Sequence, residues 1–241
     1  MRYGIFSDIH GNLEAMEAVF SAYKNTAIDQ FICLGDIVGY GANPAECIDK
    51  LQKIDCKNIA GNHDWGVVGM FDTAFFNIYA RQAIHWTQLK LDKADKEFLK
   101  NLPLTYMDRH LICVHGTLDE PRMFNYLLSL EAAALTFLHL DKNICFIGHT
   151  HIPIFFVKEK NRILVNHQHQ IRIKPECQYI CNVGSIGQPR DGNPQATYCI
   201  YDTEKNLVEI KRISYNITRA QNRIRRAKLP EFLATRLSQG R

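Results

Sequence analysis

No run in the 241-residue chain is long or apolar enough to cross a bilayer: Ile144–Ile147 and Ile152–Val157 are among its longest apolar stretches, whereas a spanning helix needs about 20 residues. The chain opens Met1-Arg2-Tyr3-Gly4-Ile5-Phe6 with no signal-like apolar segment ahead of its first strand, so a cytoplasmic location is the expectation. None of the 8 cysteines forms a C-x-x-C pair, which argues against a zinc ribbon or a dithiol redox motif. Several instead interrupt apolar runs, as in Phe31-Ile32-Cys33-Leu34, where a free thiol behaves as a small buried hydrophobe. Internal repeats, low-complexity segments and an obvious linker are absent too. The net charge of +4 is too mild to name a partner.

What is present is the composition of a globular protein, 46% hydrophobic and 22% charged. The length suits one large domain spanning 1–241, with a helical C-terminal extension at about 216–241. Apolar runs at 2–7, 30–34 and 57–60 alternate with amphipathic stretches. Asn12 is placed to cap a helix carrying Leu13, Met16, Phe20 and Tyr23, and Pro44 opens another. This is a β-α-β pattern. The stretch 73–101 is helical in period, strands resume near 104–107 and 111–114, and a helix is expected over 128–140. Beyond His151, five strand-like runs end in two short helices.

Five apolar runs each terminate in a short polar motif: Asp8-x-His10, Gly35-Asp36, Gly61-Asn62-His63-Asp64, His115-Gly116 and Gly148-His149-x-His151. If those strands share a parallel-type sheet, the tips converge on one crevice beyond their carboxyl ends. Asp8 with His10, and His149 with His151, are i, i+2 pairs that point to one side in extended backbone. Carboxylate, carboxamide and imidazole donors without thiolate suit manganese, iron or zinc. Seven candidate ligands, Asp8, His10, Asp36, Asn62, His115, His149 and His151, exceed the needs of one tetrahedral ion and fit two divalent metals.

In order, these blocks read D-x-H, G-D, G-N-H-D, H and G-H-x-H, and over roughly residues 3–155 the chain resembles the calcineurin-like metallophosphoesterases. The resemblance implies a two-sheet α/β sandwich flanked by helices, a four-layer α/β/β/α arrangement. It implies that Asp8, His10 and His151 bind one metal, Asn62, His115 and His149 the second, and that Asp36 bridges them. By the same resemblance His63 is no ligand but the catalytic group beside the leaving oxygen. The reaction implied is hydrolysis of phosphomono- or phosphodiesters by a hydroxide held between the metals.

Many members of that family carry G-D-x-x-D-R-G at the second block. Here it reads Gly35-Asp36-Ile37-Val38-Gly39-Tyr40-Gly41, without the second Asp and the Arg. Asp64 is a candidate to orient His63 in place of that Asp, and Arg190 a candidate phosphate clamp. Asn12 and Tyr40 are further candidate substrate contacts. Trp65, Phe71, Phe75, Phe76, Tyr79 and Trp86 read chiefly as core, with a pocket wall as the alternative. His167 and His169 read as one face of an exposed strand, and His85, His110 and His139 carry no motif. The basic run Lys211–Lys228 lacks Asp and Glu and reads as a solvated helix face. It keeps open a nuclease or cyclic-nucleotide phosphodiesterase that grips polyanions. A non-catalytic scaffold of the same fold is the third possibility.

Overall fold

The computed structural model describes all of residues 1–241. In chain order its elements are β1 (Arg2–Phe6), α1 (Leu13–Tyr23), β2 (Gln30–Cys33), α2 (Pro44–Gln52), β3 (Cys56–Asn58), α3 (Asn62–Val67), α4 (Ile78–Lys90) and α5 (Lys93–Lys100). They continue with β4 (Thr105–Met107), β5 (Ile112–Val114), α6 (Leu130–Leu138), β6 (Ile144–Ile147), β7 (Ile154–Glu159), β8 (Arg162–Asn166), β9 (Gln170–Arg172) and β10 (Cys177–Asn182). The last are β11 (Ala196–Asp202), β12 (Leu207–Ile213), α7 (Ile217–Arg226) and α8 (Glu231–Thr235).

The strands form two mixed sheets of six, ordered β3-β2-β1-β11-β12-β9 and β4-β5-β6-β10-β7-β8. Period-two alternation decides which side chains lie between them. Tyr3 and Ile5 of β1, Ile144 and Phe146 of β6, and Tyr179 and Cys181 of β10 point into the inter-sheet layer. Their neighbours Phe6, Cys145, Ile147 and Ile180 face the helices instead. α1, α2 and α7 cover the first sheet with Met16, Val19, Ile48, Leu51 and Ile224. α6 covers the second through Ala133 and Phe137. Seven of the eight cysteines are buried, Cys56 being the exception. No helix is long and apolar enough to cross a membrane.

Three sequence expectations change here. The five motif-bearing strands do not share one sheet: β1, β2 and β3 lie in the first, β5 and β6 in the second. The crevice therefore forms where two parallel strand sets end at the same edge of the sandwich. The stretch 73–101 is helical as its period implies but divided between α4 and α5, because Asp92 caps a new helix through its bond to the Asp95 amide. His167 and His169 sit in the loop between β8 and β9, exposed, rather than on a strand face. β9 itself is short and escapes the pattern because Ile171 is its only apolar residue.

Candidate metal centre

The loops that follow β1, β2, β5 and β6 are stitched together before any side chain is considered. Asp8 N donates to Gly35 O at 3.0 Å, His10 N to Asp36 O at 2.9 Å, and Gly148 N to His115 O at 3.0 Å. The ligand candidates are not in extended backbone. Asp8, His10, Asp36, His149 and His151 all have φ between 50° and 66°, so the i, i+2 pairs converge through left-handed turns. Such conformations cost of order 1 kcal/mol or more each and persist only where surrounding bonds over-determine them. Gly148 shows how tight the crossing is: a Cβ there would lie 2.5 Å from Asp8 Oδ2.

Each carboxylate is split between structure and site. Asp8 Oδ2 accepts the His149 amide at 3.0 Å, tying the two sheets together, while Asp8 Oδ1 has no hydrogen-bond partner. Asp36 Oδ1 accepts the His63 amide at 2.8 Å, and Asp36 Oδ2 lies 3.6 Å from His10 Nε2 and 3.3 Å from His115 Nε2. The imidazoles follow the same division. Nδ1 of His10 meets Val38 O at 3.1 Å, that of His115 meets Leu34 O at 2.7 Å, and that of His151 meets Gln188 O at 2.6 Å. A proton held there leaves Nε2 as a lone-pair donor turned inward. Those inward nitrogens then face one another: His10 Nε2 and His151 Nε2 at 3.1 Å, His115 Nε2 and His149 Nδ1 at 3.1 Å. Asn62 Oδ1 is buried without a partner.

Two clusters result, Asp8/His10/His151 and Asp36/His115/His149, and Asp36 also groups with His10 and His63. All these residues are buried. Burial by itself would raise Asp8 and Asp36, yet His151 and His115 beside Asp8, and His115 and His63 beside Asp36, hold both carboxyls well below the usual range. Burial lowers His10 and His149 strongly, keeping them neutral. His115 goes the other way, to about 9, because Asp36 and Asp8 outweigh its desolvation, so these carboxylates draw a positive charge, a proton or in its place a cation, to its Nε2. The crevice thus concentrates negative potential where lone pairs converge, which suits cations. A buried acceptor without a donor is costly, and the unpartnered Asp8 Oδ1 and Asn62 Oδ1 fit a cation better than an empty core.

His63 touches the cluster from outside. Its ring packs at 4.8 Å from His10, 4.5 Å from Tyr40 and 4.8 Å from Phe76 (centroid distances), and its Nδ1 is buried without a partner. Burial lowers it to about 4. Asp64 does not orient it. Asp64 Oδ1 accepts the Ile37 and Val38 amides at 2.9 and 3.2 Å, and Oδ2 accepts the Gly61 amide at 3.0 Å. That carboxylate braces the second and third loops, while packing against rings and against Gly39 holds the His63 ring. A Cβ on Gly39 would sit 2.4 Å from His63 Nδ1.

Of the candidate substrate contacts, Tyr40 lines the cavity beside His63, Arg190 lies over the Tyr40 ring, and Asn12 is engaged within the loop structure. Asn12 spends its carbonyl on the Ala15 amide and its amide on Gly187 O, at 3.2 and 2.9 Å. The Arg190 guanidinium lies 5.7 Å above the Tyr40 ring, with Nη2 on Gln188 Oε1 at 2.8 Å. A cavity of about 450 Å³ opens beside His63 and His149, walled by Phe71, Phe75, Phe76, Phe124 and Tyr126. Part of the aromatic set therefore forms a wall, whereas Trp65 is core. Tyr126 stacks on His149 at 3.9 Å. No motif announces it, since it comes from a loop with no strand end beside it.

Fold and donor set together define a two-sheet α/β protein with buried His and Asp clusters that could hold metal ions. The model for the calcineurin-like phosphoesterase superfamily domain matches residues 1–206, and the chain belongs to that superfamily. An uncharacterised protein of Methanocaldococcus jannaschii is 39% identical over 241 residues, covering 98% of this chain and 97% of that protein. The crystal structure of a metallophosphoesterase from Sphaerobacter thermophilus superposes with a TM-score of 0.88 at 36% identity, covering 100% of this chain and 99% of that one. The phosphodiesterase YfcE of Escherichia coli K12 is 26% identical over 215 residues, covering 85% of this chain and 89% of that protein.

Proposed function

We propose that this protein is a metal-dependent phosphoesterase acting on phosphomono- or phosphodiesters at the crevice between the two sheets. The observation that carries the reading is the set of inward-facing lone pairs: buried imidazole nitrogens 3.1 Å apart, with unpartnered carboxylate and carboxamide oxygens beside them. In this reading Asp8, His10 and His151 hold one divalent ion, Asn62, His115 and His149 a second, and Asp36 serves both. Manganese, iron and zinc match the donors. Ions bound there would supply positive charge to the phosphoryl oxygens and lower the pKa of water towards neutrality.

The chain's own groups do the remainder. His63, which lines the cavity, assists departure of the leaving oxygen as a neutral N–H donor that stabilises the negative charge developing there. Arg190 draws the remaining phosphoryl oxygens toward the mouth, and Tyr40 fixes the spacing between Arg190, His10 and His63. No serine or cysteine nucleophile is required. We assign Asn12 a part in shaping the loop rather than in touching substrate.

The test is an assay of p-nitrophenyl phosphate and bis-(p-nitrophenyl) phosphate after reconstitution with manganese, iron, zinc or magnesium separately. Turnover that stops with chelator and returns with one of these ions is expected. Stoichiometric metal uptake with no turnover on either ester would end the enzymatic reading and leave the scaffold.

A further inference from the structure

The cavity beside His63 and His149 is walled from two separate stretches of chain. On one side stand Phe71, Phe75 and Phe76, from the link between α3 and α4. On the other stand Met123, Phe124 and Tyr126, from the loop that follows β5 and the His115-Gly116 block. The two stretches meet where the Phe71 and Phe124 rings cross edge to face at 5.2 Å. The second stretch lies close on the block before it, since a Cβ on Gly116 would sit 2.6 Å from Asn125 O. Phe124 is held there at φ 50° with its ring buried. A bulky residue in left-handed backbone is strained and persists only where its surroundings fix it.

Core packing does not account for the whole wall. Phe76 and Phe124 are buried, but Phe75 is 75% exposed, Tyr126 50% and Met123 49%. Each of these three keeps apolar surface in water at one opening, a cost that an apolar occupant removes. No Asp, Glu, Lys or Arg lines the cavity, so a charged occupant finds no counter-ion there. Its polar lining includes the carboxamides of Asn77 and Asn125. Asn77 spends Oδ1 on the Ala80 amide at 3.0 Å, capping α4, which leaves its NH₂ group for another partner. Aromatic rings favour flat partners, stacked or edge-on, and carboxamides bond the edges of such rings.

We propose that this cavity receives an uncharged planar aromatic group joined to the reacting phosphate, so that the substrates are aryl or nucleoside esters rather than phosphates of small sugars or alkyl alcohols. This assignment rests on the phosphoesterase reading for turnover, not for binding. His63 and His149 belong both to the cavity lining and to the buried donor clusters. A phosphate held at the clusters and a ring held in the cavity therefore lie within the span of one small molecule. Phe75, Met123 and Tyr126 select the ring, and the metal-site residues take the phosphate whatever it carries.

Phenylphosphonate and methylphosphonate carry the same non-hydrolysable head and differ by the ring, so their affinity ratio reads the cavity directly. Calorimetry on the full chain with manganese is expected to show phenylphosphonate binding at least about tenfold more tightly, the scale of burying one ring. Phe75→Ala should lower the ratio about threefold, and Phe75→Ala with Met123→Ala should bring it to within about twofold. Methylphosphonate affinity and melting temperature should stay near those of wild type in both. AMP against ribose 5-phosphate, each as a competitor of phenylphosphonate, names the source of the ring: a preference for AMP points to a nucleoside, its absence to a simple aryl group. Equal or undetectable affinity for the two phosphonates in wild type, or an unchanged ratio in the double variant, would overturn the aromatic site. A preserved ratio without ester hydrolysis would instead overturn the phosphoesterase reading alone.

Discussion

His10 and His151 stand 141 residues apart in the chain, and their Nε2 atoms meet at 3.1 Å with both Nδ1 atoms turned to main-chain carbonyls. Two imidazoles arranged this way present two lone pairs to one point. Asp8 Oδ1, 3.1 Å from His151 Nε2, completes the group. A shared cation resolves the repulsion, and a neutral core does not.

Asp36 is the side chain that reaches both clusters, so Asp36→Asn should lower bound manganese from about two ions per chain to one or fewer and abolish turnover. Wild type should be stabilised by manganese by about 2.7 kcal/mol at a hundredfold excess over Kd, which is about 5–11 °C in Tm at this size, and the variant by clearly less. Elemental analysis and melting curves check both statements. Unchanged metal content in the variant would remove Asp36 from the site.

His63→Ala should retain metal and lose about 10²–10³ in kcat, the range for one donor to a developing negative charge. The deficit should shrink for nitrophenol leaving groups, which depart without help, and grow for alkyl esters. Rates measured across a leaving-group series decide it, and a deficit independent of the leaving group would argue for a purely steric role.

Asp64 accepts three main-chain amides with its two carboxylate oxygens. Asp64→Ala strands those buried donors, at about 1–3 kcal/mol each in the least relaxed case, so a Tm drop of several degrees is expected together with weakened activity. A variant that melts like wild type but fails only in kcat would restore Asp64 as the partner of His63.

The basic C-terminal run is largely spoken for inside the molecule, since Glu14 takes Arg219 and Arg223, and Glu231 takes Arg225. Hydrolysis of small esters should therefore stay within about twofold on replacing Arg225 and Arg226 by Gln, with a shallow salt dependence. A steep fall of RNA or DNA cleavage with salt, on the scale expected when several phosphates are neutralised, would favour the nuclease instead.

Element types were largely legible because hydrophobic periodicity is local. The apolar runs of β1 and β6 and the cap at Asn12 act within a few residues. Short β9 and the break at Leu91-Asp92 were harder, one apolar residue and one cap being too little signal in a window. Strand-end motifs brought forward all seven ligand candidates, while Tyr126 had no motif to betray it.

The order of the motifs and the chemistry of their donors belong to the sequence, because residue type sets lone pairs, charge and softness wherever the chain goes. Which sheet each strand joins was decided only by tertiary structure, and so was the left-handed backbone at Asp8, His10 and Asp36. Long-range pairing has no local signature, and positive φ at a non-glycine residue is imposed by the bonds around it. The same holds for Asp64, whose acceptors were claimed by backbone amides from a loop more than twenty residues away.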